Sequence, residues 1–109
     1  MHVEDEKKVL DIIEAARETG KIRKGVNEAT KSIERGEAKL VVAATDVNPP
    51  EIVMHLPLIC DEKKIPFAKV SKKLDLGRAA GIAVGTSAIA IADAGEAKND
   101  LKKLLEAKE

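Results

Sequence analysis

Residues 39–45, Lys-Leu-Val-Val-Ala-Ala-Thr, form an unbroken apolar run of strand length, and this run constrains the architecture most. A strand that is apolar at successive positions has no side to give to water. It belongs in the centre of a sheet that is covered on both faces. Residues 66–70 (Pro-Phe-Ala-Lys-Val) and 88–93 (Ala-Ile-Ala-Ile-Ala-Asp) read as further strands. Residues 21–24 (Lys-Ile-Arg-Lys) form a connector or an edge strand, with only Ile22 to bury.

Helical patterns fill the intervals. Residues 4–19 place Val9, Ile12, Ile13 and Ala16 at spacings of three and four, and Thr19-Gly20 stops the helix. A second helix opens at Gly25 and ends at Gly36. Asp46 and the prolines Pro49 and Pro50 read as the start of a third: a capping side chain, then rings whose missing amides cost nothing there. Residues 50–61 are apolar nearly all round (Ile52, Val53, Met54, Leu56, Leu58, Ile59, Cys60), which predicts a largely buried helix, kinked at Pro57. Ser71 caps a fourth, running through Leu74, Leu76 and Ala79-Ala80 to Gly81, and a last one carries Leu101, Leu104 and Leu105. Strands alternating with helices predict an α/β fold, a three-layer α/β/α sandwich with a small mixed four-stranded sheet. Residues 1–109 form a single domain, long enough for one core and too short for two.

Several classes are excluded at this stage. No apolar run approaches the ~20 residues that span a bilayer, and the acidic start Met-His-Val-Glu-Asp-Glu is unlike a signal peptide. The single cysteine, Cys60, leaves no disulfide framework and fits a reducing compartment, so a cytoplasmic location without membrane contact is expected. With Phe67 the only aromatic residue, base-stacking platforms cannot be built. The net charge is zero but unevenly laid out: residues 20–39 carry +3 and residues 63–78 carry +5, separated by an acidic −4 over residues 40–62. Two basic blocks on a neutral chain predict a local, selective footprint rather than general adhesion to polyanions.

Gly25-Val26-Asn27-Glu28-Ala29-Thr30-Lys31 is the stretch with chemistry to offer. At about 100° per residue, Lys24, Asn27, Glu28, Lys31 and Arg35 share an arc of roughly 100°, opposite Val26, Ala29 and Ile33. Gly25 stands where helix amides are unpaired and the dipole end is positive, so a phosphate could approach closely. A charged arc is ordinarily just a solvated face. An Asn-Glu pair among cations is better suited to the donors and acceptors of base edges. The loop Gly81-Ile82-Ala83-Val84-Gly85-Thr86-Ser87 has two readings of equal weight: Ile82 and Val84 belong to the core, or they form an exposed aliphatic ridge that packs on an unstacked base.

Catalysis has little to stand on. His55 lies in the apolar third helix, where a satisfied structural histidine is the better reading, and Cys60 among apolar neighbours is better read as core than as a nucleophile. Their spacing puts them on different helix faces, and no zinc spacing exists. Gly77-Arg78-Ala79-Ala80-Gly81 matches no dinucleotide fingerprint.

Three separated motifs carry a resemblance. Residues 25–31 (Gly-Val-Asn-Glu-Ala-Thr-Lys), 55–60 (His-Leu-Pro-Leu-Ile-Cys) and 76–81 (Leu-Gly-Arg-Ala-Ala-Gly) resemble, in order and spacing, the L7Ae ribosomal proteins of archaea and their eukaryotic small-nucleolar relatives. The resemblance covers nearly the whole chain. It implies a sandwich that binds kink-turn RNA, an asymmetric internal loop with tandem sheared G·A pairs and a sharp bend. It further implies partners among rRNA, guide RNA and ribonuclease P RNA and the core proteins of box C/D and H/ACA particles. The family is mostly monomeric until assembled on RNA, uses no cofactor and contains no enzymes. By position, Asn27, Glu28 and Lys31 resemble the residues that read the sheared guanines, and Gly25 the point of close backbone approach. Lys73 resembles a backbone-contacting lysine and Ile52 an aliphatic contact near the bent strand, while Ile82, Ala83 and Val84 occupy the loop that cradles a flipped-out nucleotide. The chain departs from the pattern at Asn48, where Asp or Glu is commoner, at Ala83, where Glu is common, and at Gly85, where Pro or Ala is usual. These departures bear on selectivity among kink-turns and on partner recruitment. Stress-response relatives on the same sandwich bind proteins, so an adaptor is the alternative reading.

Overall fold

The structure, a computed structural model, describes residues 2–3, 6–47 and 51–107, with the backbone alone described at positions 2, 3, 52, 53 and 107. In chain order the elements are β1 (His2–Val3), α1 (Glu6–Thr19), β2 (Lys21–Lys24), α2 (Val26–Glu34), β3 (Leu40–Ala44), α3 (Glu51–Lys63), β4 (Phe67–Val70), α4 (Lys73–Ala79), β5 (Ala88–Asp93) and α5 (Lys98–Ala107). A single 3-10 turn, Gly95–Ala97, leads into α5.

The sheet order is β1-β4-β3-β5-β2. β4 lies parallel to both β1 and β3, while β5 lies antiparallel to β3 and β2, so the sheet is mixed. β3 is central, as its composition requires, and all five of its residues are buried. Because successive side chains of a strand point to opposite faces, β3 feeds two cores. Leu40, Val42 and Ala44 join Val9, Ile12, Ile13 and Ala16 of α1, Leu76 and Ala79 of α4, and Leu101 and Leu104 of α5. Val41 and Ala43 join Ala29 and Ile33 of α2, Leu56 and Cys60 of α3, and Phe67. Val41 and Val42 are both fully buried, each contributing about 1.5–3 kcal/mol; an aspartate at either would place an unpaired charge against a helix layer. The result is the α/β/α sandwich expected, with α1, α4 and α5 on one face and α2 and α3 on the other.

The mixed sheet is as expected, with a two-residue edge piece, His2–Val3, added beside β4, too short to leave a hydrophobic period in the sequence. Other expectations need correction. α3 is not largely buried: Met54 is 67% exposed and Leu58 69%, with Leu56 and Cys60 facing inward. A two-sided sheet leaves an outer helix only one buried stripe, whatever its composition. His55, on the same outer side, is exposed rather than a core histidine. α4 is not capped by Ser71: its N-cap position is Lys72, without a side-chain bond, while the Ser71 hydroxyl donates to Glu6 at the start of α1 at 3.1 Å. Asp46 Oδ1 accepts the amide of Lys73 at 2.7 Å; residues 48–50, where the sequence places the start of α3, lie outside the described residues.

Candidate nucleic-acid interface

The sheet register gathers the singled-out residues at one edge. Lys24 at the end of β2 lies opposite Ile89, and Ala43 near the end of β3 lies opposite Ala88 at the start of β5. Ala44 and Val70, the last residues of β3 and β4, are paired. Hence α2 leaves from this edge, the β3–α3 turn and α4 leave from it, and the 81–87 loop arrives at it. Crevices outside the carboxyl ends of strands are where open α/β sheets present ligand sites.

Gly25 turns the chain from β2 into α2. Its amide donates to the carbonyl of Ala88 at 2.8 Å, and its carbonyl already accepts the amide of Ala29 at 2.9 Å. Between the two, the backbone adopts φ 94° and ψ 157°, a region open essentially to glycine alone. Gly25 offers no side-chain cap, so among the described residues the first amides of α2 have no capping side chain. Along α2, Ala29, Ser32 and Ile33 are buried, while Asn27, Glu28, Lys31 and Arg35 are exposed. Lys31 Nζ lies 3.6 Å from Glu28 Oε1, an exposed i,i+3 pair worth only about 0.2–0.5 kcal/mol. Such a pair opens at little cost when either member meets a stronger partner.

One of the wheel residues sits differently from expectation. Lys24 is exposed, but it is the last residue of β2, so the helical arc does not place it. Arg35 is the C-cap of α2, ten residues beyond Gly25 and so about 15 Å along the axis. The far end of α2 is tied down nearby: Arg23 Nε donates to Glu37 Oε1 at 3.0 Å. That hydrogen bond holds the Glu37 carboxyl below the usual carboxylate range.

The 81–87 loop resolves its two readings residue by residue. Ile82 is half-buried and packs against the core beneath α1 and α4. Ala83 is exposed and Val84 is 65% exposed, an aliphatic tip with no covering element among the described residues. Lys73, exposed at the first position of α4, is joined to this loop: its carbonyl accepts the amide of Thr86 at 3.1 Å, and its Cγ stands 2.9 Å from where a Cβ on Gly85 would be. Glycine at 85 therefore makes room for Lys73. Asn48 lies outside the described residues, and of Ile52 only the backbone is described, in the first turn of α3.

Residues that the sequence did not assign to RNA contact build the frame of this edge. Asp46 holds the start of α4, and Gly77 admits the backbone of the 81–87 loop. A glycine inside a helical pattern is itself a sign of close packing, so Gly77 was open to notice; nothing local marks Asp46 as the partner of a residue 27 positions away.

Burial pushes the Cys60 thiol up to about 12, with Asp61 adding to the effect, which leaves it protonated and enclosed. Among the described residues no group of three or more His, Cys, Asp or Glu side chains converges on a metal position. A groove of about 360 Å³ between α1 and α5, lined by Lys8, Asp11, Ile12, Asp100, Lys103 and Leu104, contains none of the interface residues. No helix among the described residues is long and apolar enough to cross a membrane.

Comparison with known proteins follows the same lines. The model of the ribosomal protein L7Ae/L30e/S12e/Gadd45 family matches residues 7–101. Among solved structures, the chain is similar to the 15.5kD RNA binding protein of Giardia lamblia, with a TM-score of 0.86 and 34% sequence identity over 93% of this chain and 84% of that one.

Proposed function

The chain belongs to the ribosomal protein L7Ae/L30e/S12e/Gadd45 family, and from that premise we propose that it is an RNA-binding protein that captures kink-turn RNA at the edge described above. The observation that carries this reading is the exposure of Asn27, Glu28 and Lys31 on a helix that starts, through Gly25, at the same sheet edge as the exposed Ala83-Val84 tip. Asn27, Glu28 and Lys31 offer donors and acceptors to the edges of sheared guanines, each good base contact being worth about 1–3 kcal/mol. Gly25 and the uncapped amides beside it admit a backbone phosphate. Lys24, Lys73 and Arg35 supply contacts to the backbone that weaken with salt. Ile82, Ala83 and Val84 meet an extruded nucleotide through aliphatic packing, since no aromatic side chain stands there, while Ile52 makes an aliphatic contact near the bent strand and Asn48 a polar one beside the RNA. A protein that fits only the bent form shifts the RNA toward it by the difference in affinity for the two forms. In a cell, such RNA occurs in the large ribosomal subunit, in box C/D and H/ACA guide RNAs and in ribonuclease P, and a role as a binding protein rather than an enzyme follows.

The deciding experiment compares affinity for a standard kink-turn with affinity for the same RNA carrying Watson–Crick pairs in place of the sheared G·A pairs, over a salt series. Strong preference for the kink-turn at every salt concentration supports the reading. Equal affinities at each salt concentration overturn it.

A protein adaptor is the second reading, and one observation favours it. Met54 and Leu58 stand one turn apart on the outer side of α3, both about two-thirds exposed, an apolar pair of the kind that partner proteins cover. An adaptor would bind neither RNA tightly.

A further inference from the structure

Asp46 follows β3 and is none of the residues assigned above to RNA. Its carboxylate reaches over the sheet edge, where Oδ1 accepts the backbone amide of Lys73 at 2.7 Å. α4 is only seven residues long and receives no cap from Lys72. A helix of that length does not hold its first turn by itself, so the bond from Asp46 fixes where α4 begins.

Other contacts pass that placement on. The carbonyl of Lys73 accepts the amide of Thr86. Thr86 is itself buried, with Oγ1 donating to the carbonyl of Ala88 at 3.4 Å. Gly85 sits on the Cγ of Lys73, and the carbonyl of Val84 sits on Gly77 inside α4. A continuous set of contacts therefore runs from Asp46 through Lys73 to the Ala83-Val84 tip.

We propose that Asp46 is a positioning residue for the RNA site: it sets the direction in which Lys73 leaves the surface and the posture of the 83–84 tip before RNA arrives. This rests on the reading under Proposed function. Groups already ordered in the free protein need not be ordered on binding, and the affinity rises accordingly. Asp46 is exposed, so its charge stands near the proposed path of the phosphates. Engaged with the positive end of α4, that charge is partly offset. The role assigned to it is therefore that of a hydrogen-bond acceptor, which a neutral amide oxygen can also fill.

The test is a titration of a kink-turn RNA with the parent protein, Asp46→Ala, Asp46→Asn, Lys73→Ala, the double variant Asp46→Ala/Lys73→Ala, and Lys31→Ala as a reference. Circular dichroism checks folding, which none of these substitutions at exposed positions should abolish. Asp46→Ala is expected to weaken binding by roughly three- to tenfold, the size of a lost cap. Asp46→Asn should stay within about twofold of the parent, and adding Asp46→Ala to Lys73→Ala should produce clearly less than the effect it has alone, as expected for coupled residues. Parental affinity in Asp46→Ala, with Lys31→Ala weakened, overturns this inference and leaves the RNA reading standing. So does an Asp46→Ala effect that is undiminished beside Lys73→Ala, or an Asp46→Asn protein as weak as Asp46→Ala. A parent protein without preference for the kink-turn overturns both.

Discussion

The carbonyl oxygen of Val84 lies against Cα of Gly77, in the space that the Cβ of any other residue would occupy. The exposed tip of the 81–87 loop is thus seated directly on the backbone of α4, and a glycine inside a helix is what permits it. Alanine ordinarily stabilises a helix interior by roughly 0.5–1 kcal/mol over glycine. Here the sign reverses, because the atom met is backbone and cannot swing aside. Gly77→Ala is expected to destabilise the protein by about 1–3 kcal/mol, read from urea unfolding midpoints. It should also weaken RNA binding by displacing Val84. A midpoint equal to or above the parent's would show that the loop is free to move off α4.

Gly25 and Gly36 both have positive φ, but they differ in what can replace them. At Gly25 a Cβ would meet nothing within 4 Å, so the demand is conformational: φ 94° with ψ 157° suits glycine alone. At Gly36, φ is 73°, within reach of the left-handed region that asparagine tolerates. Gly25→Ala and Gly25→Asn are both expected to cost about 1–3 kcal/mol, whereas Gly36→Asn should cost clearly less than Gly36→Ala. Thermal unfolding of the four variants tests this, and a mild Gly25→Asn would count against the strained geometry at the start of α2.

Lys31→Ala removes an exposed side chain whose described partner is the loose pair with Glu28. Stability should therefore change by no more than about 0.5 kcal/mol. Binding to a kink-turn should fall at least tenfold, in keeping with the loss of about 1–3 kcal/mol at a base contact. Gel-shift titrations that find parent and variant equal would remove Lys31 from the site.

Cys60 gives the pH prediction. Its folded-state value is raised from 9.0 to about 12 by burial, so folding holds the thiol neutral. That contribution is fully present below 9.0 and is lost as pH rises toward the folded value. The parent should lose stability across this alkaline interval by more than Cys60→Ala does, although the alanine variant starts lower by about 1 kcal/mol from the vacated volume. In the same protein, iodoacetamide at neutral pH should modify Cys60 only after denaturant is added. Rapid modification of the native protein would mean that the α2–α3 core opens readily.

The sandwich was legible in the residues because burial leaves a one-dimensional trace. A central strand must be apolar on both faces, and residues 39–45 are; an outer helix must carry a stripe at spacings of three and four, and Val9, Ile12, Ile13 and Ala16 do. The charged arc of Asn27, Glu28 and Lys31 was legible for the same reason, since a helix that buries Ala29 and Ile33 must expose the other side. Which side of α3 meets solvent was not, because Met54 and Leu58 are as apolar as Leu56, and only the sheet beneath decides which of them it covers. Nor could the sequence say that Asp46 holds α4, that Gly77 lies under Val84, or that Ile82 turns inward while Val84 stays out. Patterns within one element record what that element buries. Contacts between residues far apart along the chain exist only once the sheet has brought the ends of β2, β3 and β4 and the start of β5 to a common edge.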